Sequence, residues 1–159
     1  MQPTLLPLPK KALPKILPFI HQPHRFDWRI RKDGKIFALL KTHQVEYDFI
    51  EQKVWGLQSI MELGELKGED FIPSHELALS VCISNAIPAV ELNFEQSLRY
   101  LKKEHFDLTN VSLGWTLVKY NGLPLGWVKI IKDRINNYLP QKVRILMDIS
   151  QDLFETNLT

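Results

Sequence analysis

The chain has 159 residues, of which 45% are hydrophobic and 24% charged, a composition typical of a folded globular domain rather than a disordered chain. No apolar run approaches the roughly 20 residues that span a bilayer, so the sequence also argues against a membrane protein. The formal net charge is only +2, and the single cysteine, Cys82, permits no internal disulfide. With no secretion signal at its start, the sequence predicts a cytoplasmic protein.

The first 25 residues contain six of the ten prolines in the chain. Proline fixes φ and lacks a backbone N–H, so this spacing argues against a helix through the segment. We therefore expect residues 1–25 to form an extended lead-in or linker. The prolines in question are Pro3, Pro7, Pro9, Pro14, Pro18 and Pro23.

Residues 26–88 are predicted to form a small mixed α/β subdomain. FDWRI (Phe26 to Ile30) alternates apolar and polar positions, Asp33-Gly34 is a turn signal, and KIFALL (Lys35 to Leu40) returns as a second strand. A short helix is expected in VEYDFIEQKVWGL, and a strand in SIMELGEL.

Two further helices are predicted from their first residues. Ser74 is a good N-cap for a helix that would place Leu77, Ala78 and Val81 on one face and Cys82 in its apolar segment, as a buried thiol rather than a nucleophile. The second helix follows Asn93, which forms a capping-box pattern with Gln96. Its expected buried stripe is Phe94, Leu98 and Leu101.

After the second predicted helix, the sequence pattern is typical of β-strands. GWTLVKY, the turn Asn121-Gly122 and LPLGWVKII predict a second hairpin, in which Pro124 requires an edge position or a bulge. VRILM is expected to form a later strand, and residues 148–159 a tail.

Positive charge is concentrated in this C-terminal third. Between Ser112 and Met147 the sequence has one acidic residue, Asp133. The basic residues of the same stretch are Lys119, Lys129, Lys132, Arg134, Lys142 and Arg144. A basic region on a body of low net charge is typical of proteins that bind a polyanion, although a solvated face without a partner is an alternative.

Motifs for catalysis are not found. The sequence has no glycine-rich phosphate loop and no metal-ligand spacing, and we interpret His21 and His24 as loop histidines. We therefore predict no catalytic residue, no metal and no cofactor.

Three segments resemble a known family: GELKGEDFIPSHELALS (64–80), AVELNFEQSLRYLKKE (89–104) and GWTLVKYNGLPLGWVKIIKDRINNYLPQKVRI (114–145). They are similar to the C-terminal region of the RsmF-like branch of the Nop/Sun family of RNA cytosine-C5 methyltransferases. The last segment resembles the PUA-like RNA-binding domain of that family. Its signature positions correspond here to Gly122, Gly126, Lys129, Arg134, Asn137, Tyr138, Pro140 and Arg144.

The resemblance implies an α+β fold, with the N-terminal subdomain followed by a PUA-like β-pseudobarrel over residues 89–147. Enzymes of the family carry a Rossmann-like catalytic domain with an S-adenosylmethionine loop and two cysteines, whereas this sequence has only Cys82, which follows Val81. We therefore expect the accessory part of such an enzyme, not an enzyme in itself, as an excised domain, a gene fragment or a free-standing relative. The proline-rich start would then be what remains of an interdomain linker.

The resemblance also implies RNA, most simply ribosomal RNA, as the partner. Lys129, Lys132, Arg134, Lys142 and Arg144 would then contact phosphates. Asn136 and Asn137 would contact base edges or ribose hydroxyls, and Tyr138 would stack on an unpaired base. Trp115 and Trp127 are interpreted first as core residues, and the two asparagines could instead serve a turn. The alternative function is a protein-docking module that packs on a methyltransferase catalytic domain or on a ribosomal protein.

Overall fold

The computed structural model describes residues 5–53, 60–132 and 134–147, with the side chains of residues 51–53 left out. The chain forms two compact units, Met1–Ala86 and Ile87–Thr159. This division lies two residues before the boundary at residues 88 and 89 that we expected from the sequence. Both units combine helices with a β-sheet, which confirms the predicted α+β class. None of the helices in the described ranges is long and apolar enough to cross a membrane.

The N-terminal unit contains an antiparallel sheet in which the strands follow one another in chain order. Its strands are β1 (Leu6–Pro7), β2 (Phe26–Ile30), β3 (Lys35–Leu40), β4 (Met61–Lys67) and β5 (Asp70–Pro73). The predicted first hairpin is confirmed as β2 and β3. At its turn Gly34 has a φ of 88°, and the Asp33 carboxylate accepts the Lys35 N–H at 3.2 Å. The residues of the turn itself, Asp33 and Gly34, therefore determine this hairpin.

The proline-rich start is not the extended lead-in that we expected. It contains the short helix α1 (Leu13–Ile16) between 3₁₀ turns, and β1 pairs with β2. Pro14, Pro18 and Pro23 each lie in the first turn of a short helical segment, where the N–H that proline lacks would have had no helical partner. Several apolar side chains of this segment are buried in the structure: Leu8, Ala12, Ile16, Phe19 and Ile20. The segment is part of the folded unit because its apolar side chains belong to the hydrophobic core.

The expected helix and strand after β3 are present as α2 (Gln44–Lys53) and β4. The helix after Ser74 is also confirmed, as α3 (His75–Leu79), and the Ser74 Oγ accepts the Leu77 N–H at 3.0 Å.

Helix α3 ends earlier than we expected. Ser80 is extended, and both its N–H (3.2 Å) and its hydroxyl (2.9 Å) donate to the Leu77 carbonyl, which closes the last turn of the helix. Val81 is consequently 95% exposed. Cys82 lies outside the helix and is half-buried, which corrects the prediction that both residues continue its apolar face.

The C-terminal unit contains the sheet β6-β7-β8-β9, with β6 parallel to β7 and the other pairs antiparallel. Its elements are β6 (Ala89–Glu91), α4 (Phe94–Lys102), β7 (Gly114–Tyr120), β8 (Leu123–Ile131) and β9 (Arg134–Asn137). The hairpin of β7 and β8 is confirmed, with positive φ at Asn121 (49°) and Gly122 (76°). The prediction for Pro124 is also confirmed, because the register shifts between Val118 and Lys119, leaving an extra residue in β8 directly after Pro124.

The last strand was wrongly predicted. VRILM forms no strand, since Gln141–Val143 is a 3₁₀ turn and Leu146 is 77% exposed. The strand is instead β9, in the earlier RINN stretch, and Pro140 ends the extended segment before the turn. Alternation of apolar and polar residues is weak in RINN, so pairing with β8 determines this strand more than local pattern does.

Helix α4 begins with the predicted capping box of Asn93 and Gln96. Its most buried side chains are Ser97 and Tyr100, whereas Phe94, Leu98 and Leu101 are only half-buried. Ser97 can be buried because its hydroxyl donates to the Phe94 carbonyl at 2.7 Å. The helix packs on a core cluster of Leu92, Tyr100, Phe106, Val118, Val128, Ile130 and Leu139.

The burial of Tyr100 allows the contribution of its hydroxyl to the stability of this core to be tested. The side chain is fully buried, and its hydroxyl donates to the Trp127 carbonyl at 3.3 Å. Burial raises the pKa of Tyr100 well above its ordinary value of 10.0. The neutral form thus contributes stability that is fully present below the unfolded pKa of about 10 and is lost as the pH rises above it.

Tyr100→Phe should therefore lower the free energy of unfolding by about 1 kcal/mol at pH 7, through the lost hydrogen bond. The same variant should lose less stability than the parent between about pH 9 and 11, because it has no phenol to ionise on unfolding. Urea unfolding across that pH range measures both effects, with Tyr120→Phe as the control. Equal alkaline losses in parent and Tyr100→Phe would contradict this role.

Candidate nucleic-acid interface

The sheet of the C-terminal unit has two chemically different faces. Val118, Val128 and Ile130 point towards the core beneath α4, on what we call the inner face. Side chains alternate along a strand, so the neighbouring positions lie on the opposite, outer face. There, Trp115 of β7 is opposite Lys129 of β8. Lys129 is in turn opposite Asn136 of β9, so an aromatic ring, a cation and an amide form one row across three strands.

Two exposed cations lie at the connection between β8 and β9. Lys132 has a left-handed backbone with a φ of 51°, and Arg134 is opposite Ile131 in register, which places it on the outer face. In the described ranges neither side chain has a carboxylate partner, and Asp133 between them lies outside those ranges.

Aromatic residues flank the same row. Trp127 is 1% exposed and is therefore a core residue, as interpreted from the sequence. Trp115 is half-buried; the Tyr138 ring packs edge-on at a centroid distance of 4.4 Å, and the Lys129 Nζ lies 5.3 Å from its ring centroid. Tyr138 is thus partly packed and partly accessible, and it packs on the Trp115 ring that lies beside the Lys129 ammonium. We define the outer-face group as Trp115, Lys129, Arg134, Asn136 and Tyr138, together with Lys132 in the adjoining turn.

The two adjacent asparagines have different roles because β9 directs them to opposite faces. Asn137 points to the inner face, where its amide donates to the Tyr100 carbonyl at 2.8 Å and accepts the Leu139 N–H at 2.9 Å. The half-buried Asn136 side chain makes no such bond in the described part of the chain. Asn136 can therefore offer its amide to a ligand, whereas Asn137 uses its amide to hold α4 on the sheet.

The two remaining predicted cations lie in the segment after β9. Lys142 and Arg144 are both exposed, and the backbone next to Arg144 is fixed because the Ile145 N–H donates to the Leu101 carbonyl at 3.0 Å. This bond places Arg144 at the C-terminal end of α4, away from the outer-face row. The structure therefore does not bring all eight predicted residues to one face.

Lys103, at the same end of α4, was missed by the sequence analysis. Its ammonium donates to the Leu139 carbonyl at 2.6 Å and to the Asn137 carbonyl at 3.4 Å. Burial, and secondly the positive charge of Arg144, lower the pKa of Lys103. The adjacent lysines Lys102 and Lys103 at the end of a predicted helix are a local sequence signal for a helix C-cap. The proximity of Lys103 to Arg144, in contrast, can be known only from the tertiary structure.

Cations on the body of α4 have carboxylate partners, whereas Lys132 and Arg134 have none in the described ranges. Arg99 pairs with Glu95 at 2.8 Å and Lys102 with Glu104 at 2.9 Å. Across the described ranges, no group of three or more His, Cys, Asp or Glu side chains is arranged to hold a metal ion. The chemistry that this unit offers is therefore cationic and aromatic.

A comparison with protein-family models matches residues 87–145 to the model described as the methyltransferase RsmF PUA domain. The match begins just before β6 and ends after Arg144, so it spans the whole sheet and α4. No curated protein matches the chain. Residues 87–145 are a PUA-like domain of the RsmF methyltransferase type, an accessory module of the RNA-binding PUA class.

The different roles of the two asparagines give a matched pair of variants. Asn137→Ala removes two hydrogen bonds and leaves the Tyr100 carbonyl and the Leu139 N–H without these partners. It should therefore lower the free energy of unfolding by about 1–3 kcal/mol. Asn136→Ala should change it by less than about 0.5 kcal/mol. Urea denaturation of both variants measures the difference, and equal losses would show that the assignment of faces in β9 is wrong.

Proposed function

We propose that this protein is a non-catalytic module that binds structured RNA, in particular ribosomal RNA, and positions it for modification by a methyltransferase catalytic domain, in the cytoplasm. The observation that carries the proposal is the exposed pair Lys132 and Arg134, which has no carboxylate partner in the described ranges, at the connection between β8 and β9 of a PUA-like domain.

Exposed cations without a carboxylate partner favour a polyanion because their contacts with phosphates release the counterions condensed on the RNA. Arg134 can bind a phosphate with two parallel N–H donors, whereas Lys132 supplies a point charge. Such contacts give affinity and orientation but little sequence information.

The row beside these cations supplies groups that can contact bases. The Asn136 amide can donate to and accept from a base edge or a ribose hydroxyl. Trp115 and Tyr138 are half-buried aromatics next to the Lys129 ammonium, and an unpaired base can stack on such a surface. Unpaired bases occur in loops and bulges, which is why the proposal specifies structured RNA. Among the predicted site residues, Asn137 is assigned to structure instead.

Docking onto a protein is the competing function for the same face. An apolar protein interface responds weakly to salt, whereas RNA binding through several phosphate contacts weakens by orders of magnitude between about 50 and 200 mM salt. A salt series therefore separates the two functions.

Lys132→Ala/Arg134→Ala should flatten the slope of log affinity against log salt by about two units, one for each phosphate contact removed. Its melting temperature should stay close to that of the parent, since exposed charges contribute little to stability. Filter binding of the full chain to a structured ribosomal RNA fragment provides the measurement, beside a thermal melt.

The matched control is Arg99→Ala/Lys102→Ala, which removes the same charge from α4, where both cations already have carboxylate partners. It should change the slope by clearly less. If both double variants give the parent slope, RNA does not contact the outer face, and binding of the chain to a catalytic domain instead would favour the docking function.

The absence of catalysis is tested separately. The sequence has one cysteine and no cofactor loop, so the chain alone should bind no S-adenosylmethionine. Isothermal titration calorimetry of the chain with this cofactor measures the affinity directly. A dissociation constant in the micromolar range would contradict the proposal that the module depends on a separate catalytic domain.

A further inference from the structure

The C-terminal end of α4 holds a lysine ammonium in a fixed position. Lys103 is the C-cap residue, with a φ of 60°, and its N–H bonds to the carbonyls of Arg99 and Tyr100. Its side chain reaches across to the Leu139 and Asn137 carbonyls. Backbone and side chain are thus both fixed, so the cation loses little conformational freedom when a ligand binds.

Arg144 is held at the same place by the chain that follows β9. Its own N–H donates to the Gln141 carbonyl at 3.3 Å, and the next residue bonds to Leu101 of α4. The guanidinium is exposed and makes no hydrogen bond or ion pair in the described part of the chain. The bond between Ile145 and Leu101 places Arg144 beside the end of α4 that carries Lys103, and its positive charge contributes to lowering the pKa of that lysine.

In the part of the chain that the structure describes, neither Lys103 nor Arg144 forms an ion pair with a carboxylate. Glu104 is bonded to Lys102, and Asp107 lies 3.3 Å from His105. Among the described residues, two like charges thus lie near one another without a paired anion, an arrangement that is unfavourable by itself and becomes favourable when an anion binds between them.

We propose that Lys103 and Arg144 together bind one phosphate group of the RNA, at a site separate from the outer-face group. This inference rests on the proposed RNA binding. A phosphate fits the pair because the Arg144 guanidinium can donate two parallel N–H bonds to its oxygens while the Lys103 ammonium, already bonded to carbonyls, adds a remaining donor and a charge.

The position of the site has a consequence for the path of the RNA. Arg144 and Lys103 adjoin the end of α4, which covers the inner face, whereas Arg134 and Asn136 lie on the outer face. In the described ranges β9 pairs with β8 alone and is the edge strand of the sheet. An RNA that uses both sites therefore passes the β9 edge.

The test uses Arg144→Gln, Lys103→Asn and the double variant in the full chain, with the same ribosomal RNA fragment across a salt series. Asparagine tolerates the left-handed backbone of position 103, so the single variant keeps the helix end. Each single variant should flatten the slope of log affinity against log salt by about one unit. The double variant should also flatten it by about one unit, not two, because the two cations share one phosphate.

Lys102→Gln/Glu104→Gln is the matched control, since it removes the ion pair next to Lys103 and leaves the local net charge unchanged. Its slope should remain that of the parent. Should Lys103→Asn fail to fold, Arg144→Gln against this control still decides, since the Arg144 side chain makes no bond in the described ranges.

The outcomes distinguish this inference from the function on which it rests. If Arg144→Gln and Lys102→Gln/Glu104→Gln both keep the parent slope while Lys132→Ala/Arg134→Ala flattens it, the phosphate site is wrong and RNA binding stands. Additive slope changes of about two units in the double variant would also overturn a shared phosphate. If the parent binds no RNA, both proposals fall.

Discussion

The arrangement of the C-terminal unit depends on the connection between the end of α4 and the chain that leaves β9. Asn137 bonds to the Tyr100 carbonyl, and Lys103 bonds to the Leu139 carbonyl, so these residues tie helix to sheet over the buried Tyr100 ring. This connection determines which side of β9 faces the core. Because side chains alternate, it also determines that Arg134 and Asn136 face outward.

Local chemistry explains which parts of the fold were predictable from sequence. The turns at Asp33-Gly34 and Asn121-Gly122 and the capping box at Asn93 each depend on a few adjacent residues, and each was predicted correctly. The proline-rich start was not, because prolines argue against long helices but permit short ones with proline in the first turn. The last strand of the second sheet was misplaced because its sequence pattern is weak and its pairing with β8 is non-local.

The candidate site was predictable in composition but not in arrangement. Sequence alone identified the basic stretch and the residues of the PUA signature. It could not distinguish Asn136 from Asn137, because their roles depend on which residues of β9 face the core. It likewise grouped Arg144 with Arg134, which the structure separates. Lys103 was missed because its charge acquires significance only beside Arg144, which lies far along the chain from it.

Separation of the cations changes what an accessory module of this kind can achieve. Phosphate contacts on a single face supply affinity and orient the RNA on that face, but they carry little sequence information, so the strand can still slide along its own direction. Two contacts on opposite sides of an edge strand constrain the RNA in a second direction. Since the proposed role is to position RNA for a catalytic domain, orientation matters more than affinity, and the fixed Lys103 of the proposed phosphate site would supply it at small entropic cost.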